Sequence, residues 1–263
     1  MMETYMSSEQ VLDELDLLSE KITENLITNY YWNSFNSNEL IVFKGINTLV
    51  ILDKEIDFYR TYYFSDNYGS VEKILNSIEE KTLVLEYLAK EKSAEAIEMF
   101  NKAGFNEFSV HHKIVNKTLP KFKINQELHY ATSADVPEIY ESLFNNFVRY
   151  SDHLPTIEFL ENAALNKNII LYKENDKIIA YIIFEIKGGT SYFGFWFSSQ
   201  KENPLIGINL MVNLYGLLNS KNIKMAYGWV KDDNYKVIDI HKKFGFYFEG
   251  LTNYIYLKNP QGQ

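Results

Sequence analysis

The sequence predicts an α+β protein in which one structural plan occurs twice. The first observation is a repeated helix end. "AIEMFNKAGF" (96–105) and "VIDIHKKFGF" (237–246) share one order of apolar, acidic, ring and lysine positions, and Gly104 and Gly245 stand 141 positions apart. The second is that flanking strand-like stretches keep the same offset. "TLVLEYLAK" (82–90) falls on "IKMAYGWVK" (223–231), and "VHHKIVNK" (110–117) falls on "LTNYIYLK" (251–258). A repeat this long signals domain duplication, not a solenoid. The third is composition: 20 Tyr and 18 Phe favour strands and half-buried sheet faces.

The elements follow in order. Ser7 and Gln10 frame a capping box ahead of a long amphipathic helix that carries Val11, Leu12, Leu15, Leu18 and Ile22. Several strands and a helix over 93–103 complete a first domain, 1–117. Here "LIVFK" (40–44) matches "IILYK" (169–173) at an offset of 129, so the first copy lacks twelve residues before its penultimate strand. Residues 118–126, in the polar and basic "NKTLPKFKINQE" (116–127), form a linker. The second domain, 127–263, opens with the strand "LHYAT" (128–132). Thr132, Ser133 and Asp135 then offer N-cap chemistry, and Pro137 is tolerable in the first helical turn. A second helix is predicted near 156–166. Strands "NIILYKE", "KIIAYIIFEIK" and "TSYFGFWFSS" come next, separated by Asn-Asp and Gly-Gly turns. A helix from about Ile208 places Met211, Tyr215 and Leu218 on one stripe. A strand over 223–230, a helix over 235–244 and a last strand to Leu257 end the domain.

Composition narrows the chemistry. With 46% hydrophobic residues in 263, a substantial core is available. There are no cysteines, so disulfides, thiolate nucleophiles and Cys-bound zinc are excluded. The five histidines (111, 112, 129, 153 and 241) fall in no metal-ligand spacing, and no metal site is expected. A net charge of −9 argues against nucleic-acid binding. The acidic, polar "MMETYMSSEQ" has no leader pattern, and "IIAYIIFEI" (178–186) is only strand-sized, so a cytoplasmic protein with no membrane span is expected.

A strand, an Asn-led turn, a helix with a ring near its end, then Gly-Phe and a final strand: this order resembles the GNAT superfamily of acyl-CoA N-acyltransferases. The resemblance spans 127–258, and 1–117 looks like a degraded second copy. It implies two domains, each a mixed, mostly antiparallel sheet flanked by helices. It implies acetyl-CoA or another acyl-CoA as substrate, an amine acceptor of unknown identity, and a monomer or homodimer. By that resemblance, the strand carrying Phe197 and ending near Ser199 splays from its neighbour and holds the pantetheine arm through backbone groups. The loop "PLIGIN" (204–209) stands where the pyrophosphate loop should, with amides of Ile206, Gly207, Ile208 and Asn209 at a helix N-terminus. Pro204 and Asn209 depart from the family's pattern, and Pro204 lacks an N–H. A lone glycine before a helix also serves packing, so Gly207 keeps two readings. Asn234 contacts cofactor or fixes the turn, and Ser93 takes its place in the first copy.

The family's general acid is a Tyr four residues before the glycine. That position is His241 in the second copy and Phe100 in the first. His241 reads either as the acid that protonates the departing thiolate or as a core histidine bonded to a carbonyl. Glu185, Asp232 and Asp233 are candidates for the base or for binding the amine's cation. The first copy has Gly69 but no second small residue, so no CoA is expected there; it would be a scaffold or a wall of the acceptor site. Two functions therefore compete, an N-acyltransferase and a catalytically inactive GNAT-fold protein that binds a ligand or a partner. An unrelated α+β fold is the third possibility, and a splayed strand pair near Ser199 would separate it from the others.

Overall fold

A computed structural model describes residues 3–22, 27–28, 35, 39–124, 127–199 and 205–260. In chain order the elements are β1 (Glu3–Met6), α1 (Ser8–Ser19), β2 (Ile27–Thr28), β3 (Leu40–Gly45), β4 (Thr48–Lys54), β5 (Tyr59–Ser65), α2 (Tyr68–Asn76), β6 (Leu83–Ala89), α3 (Ala94–Lys102) and β7 (Asn106–Asn116). They continue with β8 (His129–Tyr130), α4 (Val136–Asn146), α5 (Ile157–Leu165), β9 (Ile169–Glu174), β10 (Lys177–Lys187), β11 (Thr190–Ser198), α6 (Leu205–Ser220), β12 (Met225–Lys231), α7 (Tyr235–Lys243) and β13 (Tyr247–Lys258). The chain forms two compact units: residues 1–110 with 251–263, and residues 111–250.

In the first unit the strand order is β1-β3-β4-β5-β6, then the 251–258 part of β13. Neighbours are antiparallel except β5 and β6, which run parallel. The capping box at α1 forms as expected: Ser7 Oγ accepts the Gln10 amide at 3.2 Å, and Gln10 Oε1 accepts the Ser7 amide at 2.9 Å. Val11, Leu15 and Leu18 face the sheet, while α2 and α3 cover its other side through Val71, Ile74, Met99 and Phe100.

The second unit repeats this order as β8-β9-β10-β11-β12, then the 111–116 part of β7. Here β11 and β12 are the parallel pair. The units are therefore built on one topology, as duplication requires. Their boundaries differ from the expected 1–117, 118–126 and 127–263: the linker stretch falls within the second unit, and the final strands change places. Residues 251–258 complete the first unit's sheet and residues 111–116 the second's. No local pattern encodes which of two similar sheets a terminal strand joins.

Helices α4 and α5 cover one face of the second sheet over Tyr181 and Ile183, and α6 and α7 cover the other over Phe184 and Ala226. The stripe on α6 buries Met211, Tyr215 and Leu218. A shorter helix before its penultimate strand, 9 residues in α2 against 16 in α6, accounts for seven of the twelve residues by which the first copy is short. Among the described linker residues (118–124), the chain packs as a strap on α6. Leu119 is buried, Asn219 Nδ2 donates to Pro120 O at 2.9 Å, and Phe122 meets Tyr215 and Phe244.

The repeated helix end has a structural cause. Gly104 and Gly245 have φ of 82° and 90°, which a Cβ would strain. The Phe105 amide bonds Phe100 O at 2.9 Å, and the Phe246 amide bonds His241 O at 3.0 Å. The Gly104 and Gly245 amides donate to the next carbonyls along, Asn101 O and Lys242 O. This is the Schellman termination, and it satisfies carbonyls that the helix ends would leave open.

Candidate functional site

The second unit opens where β11 and β12 part. Their parallel register runs from Thr190↔Met225 to Phe193↔Gly228 and stops, although β11 continues to Ser198 and β12 to Lys231. Two glycines favour the divergence. Gly194 is the extra residue of a bulge against Ile183 and Phe184, and a bulge bends its strand. Gly228 lets Phe193 O approach, since a Cβ there would lie 3.1 Å from it. The splay anticipated near Ser199 is present, which separates this fold from an unrelated α+β arrangement.

The splay leaves backbone groups open. The Ser199 amide donates to Ile179 O at 2.8 Å, in the register that pairs Phe197 with Tyr181. In an antiparallel ladder, alternate residues point their backbone groups to one neighbour. Phe197 and Ser199 therefore face β10, while the amides and carbonyls of Trp196 and Ser198 face the gap. The sequence reading named Phe197 and Ser199 on this strand; the residues whose backbone faces the gap are their neighbours, because the one-residue bulge at Gly194 is not visible in a string of aromatics. Phe195 and Phe197 pack toward α4 and α5; Trp196 packs toward α6 and α7.

Around Trp196 lie three buried polar atoms with no hydrogen-bond partner among the described residues: Trp196 Nε1, Ser198 Oγ and His241 Nδ1. The Trp196 and His241 rings meet edge-on, 5.8 Å between centroids, and His241 meets Phe246 at 5.0 Å. Burial pushes the His241 imidazole down to about 4, so it is neutral at physiological pH. Gly207 closes this corner. A Cβ on it would stand 2.9 Å from Ser198 Cβ and 3.2 Å from Trp196 Nε1, so α6 approaches β11 here only because the residue is glycine.

Ile206 and Gly207 fall in the first turn of α6, where helix N–H groups lack intrahelical acceptors, and Ile208 and Asn209 follow directly. Pro204, the loop's departure from the family pattern, lies outside the described residues. Asn234 is the N-cap of α7, its Oδ1 accepting the Val237 amide at 3.4 Å, as Ser93 caps α3. That supports its turn-fixing role.

The carboxylates divide. Glu185 pairs with Tyr192 beside the β10–β11 hairpin, at the opposite end of the strands from the splay. Asp233 holds Lys231 at 2.8 Å, and Asp232 is exposed. Asp152, which the sequence gave no reason to single out, lies in the α4–α5 connection. Its Oδ2 accepts the Val148 amide at 2.7 Å. Burial raises its carboxyl above the usual range, opposed by that amide and by His111, His153 and Lys231. Among the described residues no cluster suited to a metal ion occurs, and no helix is long and apolar enough to cross a membrane.

The first unit carries the same parting strands, with β5 and β6 in register only over Tyr59–Thr61. Its corner is filled by rings. Phe100 is fully buried against Tyr256 at 4.7 Å, Tyr87 at 5.5 Å and Tyr63 at 6.4 Å.

No family model matches the sequence, and no curated protein matches it. Solved structures do. A tandem GNAT protein from the clavulanic acid biosynthesis pathway aligns over 100% of both chains at 8% identity and a TM-score of 0.58. A GCN5-related N-acetyltransferase from Sphaerobacter thermophilus aligns over 96% of this chain and 85% of its own, at 11% identity and a TM-score of 0.57. An acetyltransferase from the GNAT family of Colwellia psychrerythraea aligns over 98% and 100%, at 9% identity and a TM-score of 0.57. The chain has the GNAT fold in tandem.

Proposed function

We propose that this chain is an acyl-CoA-dependent N-acyltransferase whose second unit binds the thioester, most simply acetyl-CoA, and passes its acyl group to an amine by direct attack. The observation that carries the reading is the open edge of β11 beside orphaned polar atoms. Among the described residues, Trp196 and Ser198 present unpaired backbone groups to the splay, and Trp196 Nε1 and Ser198 Oγ have no hydrogen-bond partner. An extended arm bearing amides is the complement of such an edge. The first turn of α6 lies at the same end and suits a phosphate.

In this reading Trp196 and Ser198 bind and orient the arm. His241 takes part as a neutral imidazole. With a pKa near 4, only about one molecule in a thousand carries the extra proton at pH 7, so His241 donates a hydrogen bond toward the leaving sulfur and does not supply the proton. One of the amine's own protons neutralises the thiolate. The first unit contributes structure, since rings fill its corresponding corner.

The protein contains three tryptophans, which makes the test direct. Titration with acetyl-CoA should move the Trp196 indole N–H resonance and raise the melting temperature, with a gain of about 2.7 kcal/mol at a hundredfold excess over Kd. No change in either signal at millimolar ligand would overturn the reading. A non-catalytic binding protein is the second reading, favoured by the neutral His241. Binding of acetyl-CoA without release of CoA across a panel of amines would select it.

A further inference from the structure

The side of the splay that faces α4 and α5 has a chemistry of its own. Strand alternation puts Phe195 and Phe197 of β11 there, and on β12 it puts Tyr227, Trp229 and Lys231, because Ala226 and Val230 point into the opposite core. The ring contact of Tyr192 with Tyr227, 5.1 Å between centroids, places the two strands' outward residues on one side. His111 stands directly across from Lys231 in the β7–β12 ladder and shares its face. Over this face runs the α4–α5 connection. Phe147 meets Phe195 at 5.1 Å, and Asp152 is fixed by reciprocal bonds with Val148, both 2.7 Å.

We propose that Asp152 is the residue that receives the acceptor, binding its ammonium group beside an aromatic wall that includes Phe195 and Trp229, and that the acceptor is a primary amine with an apolar or aromatic arm. This deepens the acyltransferase reading and rests on it for the transfer step alone. Asp152 is a half-buried carboxylate, and the Val148 amide occupies one of its two oxygens, Oδ2. Its other lone pairs and the neighbouring ring faces suit an alkylammonium, which pairs with a carboxylate and with a π-face together. The chain's net charge of −9 favours a cationic acceptor over an anionic one.

The transfer balances as follows. The ammonium gives one proton to the Asp152 carboxylate and becomes a neutral amine. The nitrogen lone pair forms the N–C bond at the thioester carbonyl, the C–S bond breaks, and sulfur keeps that electron pair. A second proton from the nitrogen neutralises the thiolate, the third stays on the amide, and Asp152 returns its proton to solvent. Burial favours this use of Asp152, since it makes the carboxyl a stronger base than an exposed one. The groups that share its field are His153 on its own loop, His111 on β7 and Lys231 on β12.

The probe is 2-phenylethylammonium, followed by the Trp229 indole resonance without acetyl-CoA, so a failure to bind thioester would overturn the acyltransferase reading and leave this measurement standing. Wild-type protein should bind the probe in the millimolar range at pH 7, and less tightly as acid protonates Asp152. Asp152→Asn keeps an acceptor for the Val148 amide, so the loop should stay folded, with an unchanged melting temperature, while probe affinity falls at least tenfold and loses its acid dependence. Asp152→Glu should recover part of the affinity. No perturbation of Trp229 by 50 mM probe (a ceiling of roughly −1.8 kcal/mol in binding terms), or equal affinity in the Asn variant, overturns the proposal.

Discussion

Trp196 and His241 meet edge-on at 76° with 5.8 Å between ring centroids, and each keeps a buried nitrogen without a hydrogen-bond partner among the described residues. Two unpaired polar atoms in one corner are costly, about 1–3 kcal/mol apiece. Simple packing would replace them, as the first unit does with Phe100 at the matching position. The second unit retains both, and that contrast is why its corner is read as a site and the first unit's as core.

The acid stability of the protein should report His241. In the unfolded chain an imidazole titrates near 6.5, and in the folded state burial holds His241 near 4. Between these values the unfolded state binds more protons, so stability falls as pH drops from 6.5 toward 4, by about 3 kcal/mol for this group in order of magnitude. His241→Phe should remove that dependence and leave the pH 7 stability equal or higher. Denaturant melts at pH 7 and pH 4.5 measure it, and an unchanged acid sensitivity in the Phe variant would refute the burial argument.

The pH dependence of turnover should follow from the same residue. Because His241 is neutral through the working range, no decline of kcat near pH 6.5 belongs to it. His241→Phe should lose a hydrogen bond to sulfur, about tenfold in kcat, and not the 10²–10⁴-fold of a lost general acid. A loss of the larger size, with its pH limb shifted in His241→Tyr, would restore the acid role.

Much of this was legible in the sequence, and the reasons are local. The capping box at Ser7, the Asn175-Asp176 turn with both φ values positive, and the α6 stripe each follow from a few neighbouring residues. Gly-Phe was legible too, but its meaning is mixed. Its recurrence marks duplication, while its geometry is a helix stop that many folds use. Three things were hidden. Bulging at Gly194 changes which amides of β11 are open. The exchange of final strands between the two units depends on pairing remote in sequence. Asp152 becomes notable only when β7 and β12 bring His111 and Lys231 to its loop.

Gly104 and Gly245 should share one strain cost and differ in what a side chain would meet. Both hold φ near +85° in the same motif, so Gly→Ala at either should cost roughly 1–2 kcal/mol from strain. Gly245→Ala should cost more, since its Cβ would also press on Asn116 Nδ2 at 3.3 Å, where Asn116 donates to Phe244 O. Gly104 has only the flexible Lys258 stem, at 3.8 Å. Equilibrium unfolding of the two variants gives the comparison, and a costlier Gly104→Ala would contradict it.

Gly216 tests whether the strap over α6 is structural. A Cβ at this position would fall 2.7 Å from Ile124 N and 2.9 Å from Lys123 C, both backbone atoms that no rotamer change can clear. Gly216 lies inside a helix, where alanine is intrinsically favoured by about 1 kcal/mol. For an exposed helix with a free tether beside it, Gly216→Ala would therefore stabilise the protein. The close approach reverses the sign. Overpacking of a fixed backbone costs about 1–3 kcal/mol, and pushing the strap away also strains the Asn219 bonds to Pro120 O and Phe122 O. The expected result is a net loss of stability together with faster proteolysis within 118–124, while Gly→Ala at the solvent-facing Gly189, which has nothing within 4 Å, leaves cleavage there unchanged. A stabilised Gly216→Ala variant with an intact strap would mean that this segment is a passive tether.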